Sequence, residues 1–135
     1  MMPAMPEWDV PENLEELLDS DGDGIWEDKS WLPISVTVMK GTSYRGRDIP
    51  LAWQIEFEPE NEAFEVPNNS IQNLGVDPDG YGWCTVIQNV ISKDHPEIVG
   101  ELHFGDTETG TCVIWVESEK VCRILVETVW SLIHG

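Results

Sequence analysis

The run Asp19-Ser20-Asp21-Gly22-Asp23-Gly24-Ile25-Trp26-Glu27-Asp28-Lys29-Ser30 alternates carboxylates in the manner of a calcium loop. An EF-hand loop places oxygen ligands at positions one, three and five, a glycine at six and a carbonyl at seven. A bidentate Glu at twelve then closes the cage. Counted from Asp19, Asp21 and Asp23 hold three and five, Gly24 holds six, and Ile25 offers its carbonyl. Ser30 stands where the closing carboxylate belongs. The set Asp19, Asp21, Asp23 and Ile25 therefore predicts at most a weak calcium site, with Kd roughly 10⁻⁴–10⁻³ M. No other cofactor is expected.

No second constellation suggests catalysis. His95, His103 and His134 lack HExxH spacing, and neither a G-x-S-x-G turn nor a phosphate-cradling glycine loop occurs. Cys84 and His103 would form a nucleophile and base only if folding brought them together, which spacing does not indicate. The expectation is that the protein is not an enzyme. Cys84, Cys112 and Cys122 are odd in number and carry no CxxC pair, so they read as reduced, buried thiols of a cytoplasmic protein. The N-terminal stretch has no basic segment followed by an apolar run, so no secretory signal is expected.

Charge gives a stronger signal. Against 26 Asp and Glu stand seven Lys and Arg, for a net charge of −19. Such a field repels nucleic acid and anionic membranes, and it accelerates the approach of a basic partner. Two patches are candidates for contact. One is Glu56, Glu58, Glu60 and Glu62, and the other joins Asp77, Asp79 and Tyr81 to the turn holding Asp106 and Glu108. In the second, Tyr81 could serve as a desolvated aromatic anchor. Either patch could equally be a solvated face.

The elements that would carry these residues follow from periodicity. The chain is of single-domain length, residues 1–135, with an acidic segment over residues 1–30. Within it, "PENLEELL" predicts a short helix with Leu14, Leu17 and Leu18 on one face. "WLPISVTVMK" predicts a strand in which Val36 and Val38 alternate with Ser35, Thr37 and Met39, and "GTSYRGRD" predicts a turn. In "LAWQIEFEPE", Leu51, Trp53, Ile55 and Phe57 point one way and Gln54, Glu56 and Glu58 the other.

The composition of "VPNNSIQNLGVDPDGYG" predicts a loop, and a helix is expected from Trp83 to about Lys93. "PEIVGEL" reads as a short turn, "LHFGDTETGTCVIWVE" as a hairpin, and Glu119 to about His134 as a broadly apolar final helix. Trp53, Trp83, Trp115 and Trp130 fall on apolar stripes. Trp8, Trp26 and Trp31 suit either a binding surface or a packed N-terminal segment. The fold class is α+β: a mainly antiparallel sheet against two C-terminal helices, with a short N-terminal helix.

Residues 64–134 contain Gly80-Tyr81-x-Trp83 at a helix start, Pro96-Glu97, an acidic turn with Asp106, Glu108 and Gly110, and a terminal helix from near Glu119. In this order of features the segment resembles the immunity protein 51 family of bacterial polymorphic toxin systems. The resemblance implies a small cytoplasmic protein that binds and neutralises a cognate toxin domain. A nuclease toxin needs a basic groove for phosphate, so an acidic inhibitor suits a basic, nuclease-type toxin. Two other functions fit the acids, a calcium-binding module and a DNA mimic that occupies a DNA-binding protein.

Overall fold

Strict alternation of apolar side chains builds the sheet, and 3.6-residue periodicity builds the layer that covers it. A computed structural model of the chain describes residues 5–20, 25–105 and 107–134. In chain order its elements are α1 (Leu14–Ser20), β1 (Ile25–Asp28), β2 (Ser35–Tyr44) and β3 (Arg47–Phe57), followed by α2 (Glu65–Asn73) and α3 (Gly80–Asp94), then β4 (Cys112–Val116) and α4 (Glu119–His134). The four strands form one antiparallel sheet in the order β1-β2-β3-β4. The α+β class, the two C-terminal helices against the sheet and the short N-terminal helix are as expected. Among the described residues no helix is long and apolar enough to cross a membrane.

The β2–β3 connection is a two-residue turn at Arg45-Gly46, with φ of 53° and 76°. Positive φ at both positions gives a twist that matches the paired strands. Glycine tolerates that region at little cost, whereas Arg45 occupies it despite its Cβ. The register it fixes sets Val36 opposite Ile55 and Val38 opposite Trp53. All four are buried on the helix-facing side.

Two aromatic groups fill that side. Trp31 meets Trp130 edge-on at 5.7 Å, and Trp8 stacks on Trp53 at 6.2 Å while its Nε1 donates to Glu119 Oε2 at 2.9 Å. The N-terminal segment is thus packed on the domain, and Trp8 and Trp31 belong to that packing rather than to an open surface. Nearer the other end of β3, Phe57 stacks on Phe64 at 4.9 Å, and Trp83 stands edge-on to both at 5.4 and 5.5 Å. Each such ring contributes roughly 1.5–3 kcal/mol by leaving water.

Three expectations are corrected. The predicted loop contains helix α2 over Glu65–Asn73, although its Asn, Ser and Pro residues are poor helix formers. Buried Phe64, Pro67 and Ile71 hold it in place, so tertiary packing overrides propensity. Helix α3 begins at Gly80 rather than at Trp83, because Asp79 caps it. The predicted hairpin has one true strand, β4. Its other arm pairs with the β4 backbone at one bridge, His103 to Trp115, with both N–H···O distances 3.0 Å.

That bridge occupies the β4 edge, where open backbone groups would otherwise invite pairing with another chain. The His103 ring stacks on Trp115 at 4.0 Å, with Nε2 3.7 Å from Glu117 Oε2. Arg47 grips the same carboxylate with two hydrogen bonds, of 2.7 and 2.8 Å. The Arg47 guanidinium, through hydrogen bonding and charge, holds the Glu117 carboxyl below its ordinary range. A depressed carboxylate pKa stabilises the fold above the ordinary titration range, and this contribution is lost as pH falls through the folded-state value. The pair is exposed and screened, so the effect on stability is small. Arg47→Ala should move the Glu117 titration upward toward the ordinary range in an NMR pH series.

Candidate functional site

Helix α3 starts where the backbone of a distant turn comes close to its own. Asp79 is extended and accepts a hydrogen bond from Gly82 N at 2.8 Å, satisfying one of the amides a helix leaves unpaired at its start. Gly80 N donates to Thr109 O at 2.8 Å. A Cβ on Gly80 would overlap the Glu108 carbonyl and lie 2.7 Å from that of Thr111. A Cβ on Gly82 would overlap the Asp77 carbonyl. Both glycines are required for close backbone approach. The consequence is that the helix start carrying Tyr81, which is 56% exposed, is held against the turn carrying Glu108, about thirty residues away in sequence.

The other acidic patch reaches the same end of the sheet. Phe57 pairs with Cys112, the residue after Thr111, so Glu58 follows β3 out of the sheet next to the turn that Gly80 contacts. Asn68 joins the two regions: its Nδ2 donates to Pro59 O at 2.7 Å and its Oδ1 accepts from Trp83 Nε1 at 2.8 Å. One amide thus fixes the segment carrying Glu58, Glu60 and Glu62 to the helix carrying Tyr81. The sequence showed Asn68 only as a loop residue.

An open cleft of about 600 Å³ borders the first patch, with Leu32, Pro33, Ser35, Glu56, Glu58 and Asn61 among its lining residues. Leu32 is 55% exposed at its side, a large apolar surface flanked by carboxylates. Sequence reasoning missed Leu32 because a lone leucine in a turn has no periodicity to mark it.

Several of the described acids have a defined part in the fold. Asp79 caps α3, Glu117 holds Arg47, Glu119 accepts from Trp8, Asp28 accepts from Ser30 N, and Glu127 meets Arg123 at 3.4 Å. The side chains of Glu56, Glu58, Glu60, Glu62, Asp77 and Glu108 have no hydrogen bond or ion pair within the described structure, a condition they share with Glu7, Asp9, Glu12, Glu16, Glu27, Asp48, Glu65, Asp94 and Glu101. Asp106 lies outside the described residues.

The calcium reading falls mostly outside the described structure as well. Asp21, Asp23 and the side chain of Asp19 are not described, and Ile25 opens β1 opposite Met39. Among the described residues no cluster of three His, Cys, Asp or Glu could hold a metal ion. The three cysteines are free and buried, and no His lies at hydrogen-bond distance from any of them among the described residues. No family model matches the chain, and neither a curated protein nor a solved structure matches it.

Proposed function

We propose that this protein is a stoichiometric inhibitor of the immunity type, which binds a basic, nuclease-type toxin domain through the acidic end of its sheet. The observation that carries this reading is where the candidate acids attach to the sheet. Glu56, Glu58, Glu60, Glu62, Asp77 and Glu108 lie on segments that leave or meet the Phe57–Cys112 end of the sheet, where Tyr81 and Leu32 are exposed. Carboxylates without a partner add to the net negative charge and contribute nothing to the fold unless something meets them. Lys and Arg of a basic groove would meet them with charge-assisted hydrogen bonds. Tyr81 and Leu32 supply apolar surface for a desolvated centre, which is where binding energy concentrates. The resemblance of residues 64–134 to the immunity protein 51 family points to the same activity.

The test is a rescue experiment with a candidate toxin domain taken from the adjacent reading frame. Co-expression should restore growth, and a stoichiometric complex should co-purify. Toxicity that persists while this protein is well expressed counts against immunity to that toxin.

Within the complex, Glu56→Lys with Glu58→Lys changes the net charge from −19 to −15, two units for each substitution. At low salt the association rate should fall about tenfold and its salt dependence should weaken. An unchanged on-rate in stopped flow would remove that patch from the interface and leave Asp77, Tyr81 and Glu108 to carry it.

A further inference from the structure

Cys84 lies in the second turn of α3 and Cys112 is the first residue of β4. Their sulfurs are 3.4 Å apart, and Cys84 Sγ is also 3.2 Å from Thr107 Oγ1. Thr107 is itself fixed, donating to Val113 O at 2.8 Å and accepting from Val113 N at 3.1 Å. The two cysteines are 28 positions apart in sequence, yet each follows closely on a residue at the Gly80–Thr111 backbone contact. Helix turn and strand end are thus held together before any covalent link forms. A disulfide requires the sulfurs to close to about 2.0 Å.

We propose that Cys84 and Cys112 form a redox-responsive pair that a small peroxide converts to a disulfide. This modification site borders the binding surface proposed above and does not depend on that reading.

The two thiols have different parts in the reaction. Hydrogen bonding from Cys112 holds Cys84 below the ordinary thiol range against the opposing effect of burial, whereas hydrogen bonding to Cys84 together with burial pushes Cys112 far up. Cys84 is also the more accessible, 9% exposed against 0% for Cys112. The Cys84 thiolate attacks one oxygen of hydrogen peroxide. An S–O bond forms, the O–O bond breaks, and hydroxide leaves and is protonated to water. The sulfur is oxidised to a sulfenic acid and the peroxide is reduced. Cys112 then attacks the Cys84 sulfur. The S–S bond forms, the S–O bond breaks, and the oxygen leaves as water with the Cys112 proton. Two thiols and one peroxide give one disulfide and two waters. Cys122 is completely buried, and burial pushes its thiol up to about 12, so it should remain reduced.

The full-length protein is treated with hydrogen peroxide, denatured, alkylated and digested for mass spectrometry. A linked Cys84–Cys112 peptide pair with Cys122 alkylated is the expected result, accompanied by a higher Tm than the reduced protein because the unfolded chain is now cross-linked. Cys112→Ser should trap the intermediate, labelled at Cys84 by a 1,3-diketone that captures sulfenic acids. Cys84→Ser should give neither link nor label. Three alkylated cysteines after peroxide, or a link that includes Cys122, would overturn the proposal. Label on Cys112 in Cys84→Ser would overturn the assignment of Cys84 as the attacking thiol.

Discussion

Gly80→Ala should destabilise the protein by about 3 kcal/mol, because a new methyl group cannot be placed beside two fixed backbone carbonyls. The carbonyls belong to Glu108 and Thr111, and neither can swing aside as a flexible side chain would. Helix propensity acts in the opposite direction, since alanine is better than glycine by about 1 kcal/mol in a helix interior and less at its first residue. The sign of the measured change therefore decides between the two effects. A urea series showing greater stability for Gly80→Ala would mean that α3 does not dock on the 108–111 turn. Gly82→Ala tests the same helix start from the other side, against the Asp77 carbonyl, and should cost a similar amount. Tyr81 lies between these glycines, so a displaced helix start would also move Tyr81 relative to the 108–111 turn.

The legible parts of the fold are those whose burial follows a single period. The alternation of Leu51, Trp53, Ile55 and Phe57 identified β3, and the apolar face from Val121 to Ile133 identified α4. Strand β1 has only four residues, with Ile25 and Glu27 exposed and Trp26 and Asp28 half-buried, too short a pattern to separate from a turn. Helix α2 was hidden for a different reason. Its local composition favours a loop, and the contacts that override it come from Phe57 and Trp83 around Phe64, of which Trp83 lies beyond any local window.

The candidate site was legible as acids and not as a place. Glu56 to Glu62 and Asp77 to Glu108 could be named from charge, and Tyr81 from its setting. The placement of their segments at one end of the sheet depends on β3–β4 register, the Gly80 contact and the Asn68 amide. The thiol pair was unreadable in the same way. Cys84 and Cys112 lack any motif spacing, and only the docking of α3 on β4 brings their sulfurs together.

Trp83→Ala should destabilise the protein by about 4 kcal/mol, the cost typical of removing a large buried aromatic ring. The lost ring stands edge-on to Phe57 and Phe64, and its removal leaves Asn68 Oδ1 without a donor. Trp83→Phe retains most of the apolar volume and should cost about 1–3 kcal/mol, chiefly for the unpaired amide oxygen. Asn68→Ala deletes that same hydrogen bond together with the one to Pro59. Combined with Trp83→Phe it should therefore cost about 1 kcal/mol less than the sum of the two single changes. Full additivity would show that the Trp83–Asn68 bond contributes nothing. Tyr81→Ala, two residues earlier in the same helix, should change stability by no more than about 0.5 kcal/mol because that ring is largely in water. Its effect should appear in the rate at which a toxin complex dissociates. Two neighbouring aromatic residues would then separate the two functions of α3, with Trp83 holding the acidic end together and Tyr81 meeting the partner.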